Sequence, residues 1–170
     1  MKRSFFKFWL FLAVGLTVSV FNLCSTLPKG AKNASDNFVD NQGRLPWPTE
    51  KGIISGHYGK QSHPFFTNIT IENKGVNIQT STQSDARAVF EGTVVQRFSV
   101  AESNNGVIVR HGEYFTVYGN LTEIYVNVGD MINAKQAIGK IYTDIDNKTE
   151  LYFQVWKETN PLNPEEWLVK

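Results

Sequence analysis

Beyond residue 50, apolar and polar residues repeatedly take alternate positions in short runs. Such runs stand at Ile53-Ile54, Ile69-Thr-Ile71, Val76-Asn-Ile78, Ala86-Arg-Ala-Val-Phe90, Thr93-Val-Val95, Gly106-Val-Ile-Val-Arg110, Tyr114-Phe-Thr-Val-Tyr118, Ile124-Tyr-Val-Asn-Val128 and Leu151-Tyr-Phe-Gln-Val-Trp156. A period of two puts one set of side chains on each face of an extended strand, so these segments predict half-buried β-strands. Between them lie Glu91-Gly92, Asn104-Asn-Gly106, His111-Gly112, Gly129-Asp130 and Asp144-Ile-Asp-Asn147, residues that favour tight turns. No stretch carries a sustained 3.6-residue period. The pattern predicts an all-β, antiparallel architecture.

The first 43 residues follow other rules. Lys2, Arg3 and Lys7 precede an uncharged run from Phe8 to Pro28, the layout of an export signal. Cys24-Ser25-Thr26 offers small residues for cleavage, the run is long enough to remain as a membrane anchor, and Cys24 is a third option as a lipid-modified residue. Residues 1–27 are therefore expected to be a signal peptide or signal-anchor helix. Residues 28–43, rich in Asn, Lys, Asp and Ser, read as a polar linker, and residues 44–170 as one domain large enough for its own core. Export to the periplasm or cell envelope follows, with N-terminal membrane association as an option.

Composition removes several classes of function. Without the three basic residues of the leader, 14 of the 17 basic residues stand against 16 acidic ones, which leaves no nucleic-acid footprint. Cys24 is the sole cysteine, so the domain has no disulfide and no thiolate metal site. Of the three histidines, His57 lies beside glycines, His63 precedes Pro64, and His111 stands in Arg-His-Gly; none has a second histidine at a spacing that puts two ligands on one face. All three are expected in turns. Sequons at Asn33, Asn68, Asn120 and Asn147 are read as chance in an Asn-rich chain.

A set of ordered motifs carries more specific information: Gly-Arg-Leu-Pro-Trp-Pro at 43–48, Ser-Gly-His-Tyr-Gly at 55–59, Asn-Lys-Gly-Val-Asn at 73–77, Val-Arg-His-Gly at 109–112, Tyr-Gly-Asn-Leu at 118–121, Val-Gly-Asp at 128–130 and Leu-Tyr-Phe-Gln-Val-Trp at 151–156. In this order they resemble the M23, or LytM-type, cell-wall endopeptidases. The resemblance implies a two-layer antiparallel β-sandwich with a groove across one sheet. It places the zinc ligands of active members at Asn73, Asn77 and Tyr152 and their catalytic histidines at Asn120 and Glu150.

Those residue types do not suit the chemistry. Catalytic zinc is held by imidazole, carboxylate or thiolate groups and leaves a position for an activated water. An Asn amide is a weak neutral donor, and a phenol of ordinary pKa is protonated near neutrality. Glu150 alone is not a site. The expectation is a domain with no cofactor and no peptidase activity, whose groove floor of Asn73, Asn77, Tyr118, Asn120, Glu150 and Tyr152 serves as a binding surface.

Degenerate domains of this pattern resemble the EnvC-type murein hydrolase activators, which implies an N-acetylmuramoyl-L-alanine amidase as partner and a role in cell-wall remodelling or daughter-cell separation. The coiled coils of such activators have no counterpart in residues 28–43, which carry no heptads. Two other classes remain open from sequence: a non-catalytic peptidoglycan-binding module, and an M23 zinc endopeptidase with a rebuilt site.

Overall fold

The computed structural model describes residues 37–62, 70–99 and 105–170. The expected leader, its cleavage or anchor region, Cys24 and His63 lie outside them. Among the described residues twelve strands are seen: β1 (Ile53–Gly56), β2 (Gly59–Ser62), β3 (Thr70–Asn73), β4 (Val76–Thr80), β5 (Asp85–Arg87), β6 (Gly92–Ser99), β7 (Asn105–His111), β8 (Tyr114–Ile124), β9 (Met131–Ile132), β10 (Ala137–Ile141), β11 (Thr149–Lys157) and β12 (Asn160–Leu162). A 3-10 helix at Pro164–Glu166 follows, capped by the Asn163 side chain.

The main ladder runs β1-β4-β11-β8-β7-β6-β9, and every pairing between these strands is antiparallel. β8 belongs to two parts of the structure. Its first half pairs with β7 and β11, whereas Leu121–Ile124 pair with β10, which in turn carries β5. Asn120, with φ 65°, marks the bend between the halves. Asn tolerates the left-handed region better than most residues, which suits it to this bend. The two layers of the sandwich are thus joined through one continuous strand.

Strand alternation decides what faces inward. Val76 and Ile78 of β4, Val107 and Val109 of β7, Tyr118 of β8, and Leu151, Phe153 and Val155 of β11 are buried together with Ala86, Ile138 and Ile141 from the β5–β10 side. Their burial removes apolar surface from water and supplies the main folding drive.

The ends close one flank. Leu45 and Leu168 form a parallel bridge, and the Trp47 indole donates to Val169 O at 2.9 Å. Residues 37–40 form a helical turn whose Phe38 is fully buried, stacked at 4.6 Å on His111 and at 5.0 Å on Trp167. The segment expected to be linker over 28–43 therefore enters the fold before residue 44. A lone apolar pair in a polar stretch gave no period from which this could be read.

Two further differences have local causes. The run at 124–128 is not a strand beyond Ile124. Tyr125 bonds to Ile138 O, Asn127 enters a turn closed by Asp130, and Val128 is left exposed. His111 is the last residue of β7 rather than a turn residue, and its ring lies in the core.

Candidate functional site

Gly75 sits between β3 and β4, where a Cβ would collide with Phe153 O of β11. This close approach brings the Asn73–Asn77 segment against β11. Asn73 Oδ1 accepts from Gly75 N at 3.1 Å, a local bond that shapes the turn. Tyr152 is then the direct cross-strand neighbour of Asn77 on one side and Gly119 on the other.

The polar side chains form a directed chain. Asn73 Nδ2 donates to His57 O at 3.0 Å and to Asn77 Oδ1 at 3.3 Å; Asn77 Nδ2 donates to Glu150 Oε2 at 3.3 Å. Glu150 Oε1 accepts from the Ser55 hydroxyl and meets Lys148 Nζ at 3.0 Å. Asn120 Nδ2 donates to the backbone carbonyl of Glu150. Asn73, Asn77, Asn120, Glu150 and Tyr152 are thereby brought together, and one amide, one hydroxyl and one ammonium satisfy the Glu150 carboxylate.

Tyr118 does not join them. It neighbours Phe153 on the inward face and is completely buried, because β8 turns alternate side chains to opposite faces. Its hydroxyl accepts from Val89 N at 3.0 Å and lies 3.2 Å from Thr116 Oγ1, and burial pushes the phenol up to about 12. The assignment of Tyr118 to the groove floor is corrected: it is a core residue.

Tyr152 is half-buried. Desolvation raises its pKa, against hydrogen bonds from Gln154 and the Lys74 backbone that act the other way. The phenol therefore stays protonated at neutral pH and does not supply a phenolate ligand. With two amides, a phenol and a carboxylate already neutralised by Lys148, this donor set does not fit a catalytic zinc. Among the described residues, no three His, Cys, Asp or Glu side chains converge in a way that could hold a metal ion. His57 is exposed beside Glu165 at 2.9 Å, far in role from the buried His111.

Ser55, Lys148, Gln154 and Trp156 also belong to this face. Period-two spacing from Glu150 and Tyr152 would have found Lys148, Gln154 and Trp156; Ser55 arrives from β1 through a long-range contact that no local pattern announces. Along β11 the Trp156 indole donates to Gln154 Oε1 at 2.9 Å, and Gln154 Nε2 donates to the Tyr152 hydroxyl at 2.8 Å.

An all-β antiparallel domain with a bonded polar cluster on the outer face of its main sheet is the class these features define. The model of peptidase family M23 matches residues 72–164, and the chain belongs to that family. It is similar to the uncharacterized protein NMB1333 of Neisseria meningitidis serogroup B, 31% identical over 79% of this chain and 22% of that protein. It is also similar to the murein hydrolase activator EnvC of Escherichia coli, 26% identical over 75% of this chain and 29% of that protein. The chain spans less than a third of the length of either relative. Among solved structures, the SpoIIQ–SpoIIIAH pore-forming complex contains a chain with a TM-score of 0.63 and 22% identity, covering 76% of this chain and 93% of that one. That likeness concerns the fold.

Proposed function

We propose that this chain is a non-catalytic M23 domain of the cell envelope that binds and activates a murein hydrolase, an N-acetylmuramoyl-L-alanine amidase. One observation supports the reading: Asn73, Asn77 and Glu150, which the resemblance aligns with zinc-ligand and catalytic positions of active members, are bonded to one another and to Lys148 as Asn73–Asn77–Glu150–Lys148. Such a cluster keeps the groove in shape without presenting a general base or a metal-activated water. Kinship with EnvC supports the partner class, and the basic and then apolar pattern that reads as an export signal over residues 1–27 supports export. Among the described residues no helix is long and apolar enough to cross a membrane.

The test is dye release from labelled peptidoglycan with the chain alone, with amidases of the same organism alone, and with both together. The expected result is no release by the chain alone and stimulated release by one amidase. Tyr152→Ala should reduce stimulation roughly tenfold or more, since a half-buried tyrosine in a binding surface is a strong anchor. Release by the chain alone with one tightly held zinc would establish an enzyme instead. Binding to sacculi without stimulation of any amidase would establish a wall-binding module.

A further inference from the structure

The outward face of the main sheet continues past the groove cluster. Trp156 of β11 is the cross-strand neighbour of Phe115 of β8, and Phe115 is the neighbour of Arg110 of β7. With strands about 4.8 Å apart, Arg110 stands about 10 Å from Trp156 in this row. On the other side Lys74, in the β3–β4 turn, holds its Nζ 6.0 Å from the Trp156 ring centroid. Trp156, Phe115 and Arg110 are half-buried and Lys74 is exposed. The row is therefore an aromatic platform with a cation at each side.

Both cations lack carboxylate partners among the described residues, where the ion pairs are His57–Glu165 and Lys148–Glu150. Arg110 Nε donates to Gly112 O at 2.9 Å, a bond that fixes the guanidinium without neutralising it. The polar atoms between the cations are already used on one another: Trp156 Nε1 on Gln154, and Gln154 Nε2 on Tyr152. A sugar needs unspent donors and acceptors for its hydroxyls, whereas this surface offers ring faces and positive charge.

From this we infer that the Lys74–Trp156–Phe115–Arg110 row is a docking site for an acidic, apolar peptide segment of a protein partner, whose carboxylates meet the two cations while its apolar side chains lie on the rings. Trp and Arg are the residue types that concentrate binding energy in such surfaces, and opposite charge selects and steers the partner. The inference rests on the groove's being a partner-binding surface, and extends that surface along β11 with a stated partner chemistry.

Fluorescence anisotropy with the full chain tests it, using two short labelled peptides, one alternating Glu and Leu and one alternating Lys and Leu, with soluble peptidoglycan fragments as competitor. The Glu–Leu peptide should bind roughly tenfold or more tightly than the Lys–Leu peptide and weaken as salt rises. Lys74→Glu/Arg110→Glu should invert the preference, a gain that only a folded protein can show, and Trp156→Ala should weaken the Glu–Leu peptide. Equal binding of the two peptides, an unchanged preference in the double variant, or displacement by peptidoglycan fragments in preference to either peptide would overturn the inference. In the amidase assay, stimulation untouched by the double variant would overturn it while leaving the activator reading intact. The peptide preference without stimulation of any amidase would leave the site and remove the activator reading.

Discussion

Two polar clusters lie on opposite faces of the same sheet and obey different rules. Beneath it, His111 Nδ1 is 2.6 Å from Glu91 O and its Nε2 is 2.9 Å from Thr116 Oγ1, which lies 3.2 Å from the Tyr118 hydroxyl. Above it stand Asn73, Asn77, Glu150 and Lys148. The lower chain is dry: burial lowers the His111 pKa to about 4, against the backbone bond to Glu91 that raises it. A carbonyl can only accept, so Nδ1 donates; the neutral ring must then accept at Nε2 from Thr116, and Thr116 accepts from Tyr118, whose oxygen takes the Val89 N–H. Every proton has one place. The upper cluster is half-wet, contains a charge pair, and can exchange protein bonds for water at modest cost. The difference teaches that complete internal satisfaction below the sheet belongs to folding, whereas the adjustable cluster above it is the one that the proposed partner would meet.

Tyr118→Ala should break the comparison most forcefully, because it removes a fully buried ring and leaves Val89 N–H unpaired. A loss of about 3–5 kcal/mol is expected by chemical denaturation. Tyr152→Ala, on the outer face, should cost much less stability while reducing partner stimulation. Similar stability losses at both positions would erase the distinction.

The buried histidine comes next. The folded state binds its proton only near pH 4, whereas an unfolded chain takes it up near the ordinary 6.5. The neutral ring's full contribution is therefore present above pH 6.5 and is lost as pH falls from 6.5 through 4. The loss is at most about 3 kcal/mol. His111→Gln, which still donates and accepts but does not titrate, should flatten that part of the stability profile. An unchanged pH slope in the variant would assign it to other groups.

Rebuilding the upper cluster sharpens the contrast further. Asn73→His/Asn77→Asp/Tyr152→His should bind zinc, since Asn77 and Tyr152 are direct cross-strand neighbours and Asn73 reaches Asn77. With metal in about hundredfold excess over its dissociation constant, the fold should gain about 3 kcal/mol. Hydrolysis should not return without Asn120→His and Glu150→His, because acid–base groups are still absent. A folded triple variant that gains no stability from zinc would show that these positions do not form a ligand set.

The strands were legible because alternation fixes faces; that Asn73, Asn77 and Tyr152 lie side by side was not, since the order of the motifs does not give the pairing of β4 with β11. Tyr118 was misplaced although its alternation with Phe115 and Val117 was available: Asn120, at positive φ, bends β8, so adjacency in Tyr-Gly-Asn-Leu does not mean a shared face. Phe38 and Ser55 could not be found locally, since each gains its role through contacts with residues distant in the chain, His111 and Trp167 for one and Glu150 for the other.

Glu150→Gln should have the smallest effect on stability and the most informative pattern. The carboxylate sets the direction of the whole chain: because it only accepts, Asn77 must turn its amide nitrogen toward it and its oxygen toward Asn73. A glutamine can present its oxygen to Asn77 and its nitrogen to the Ser55 hydroxyl, so the amides keep their orientation. What is lost is the attraction to Lys148, a pair whose side chains are 45% and 16% exposed, and screening leaves such a pair worth under about 1 kcal/mol. Denaturation midpoints should therefore shift little, while stimulation of the partner should change because Lys148 is released into the groove. A loss above about 2 kcal/mol would place the upper cluster in the same structural category as the His111–Thr116–Tyr118 chain, and the division of labour between the two faces would fail.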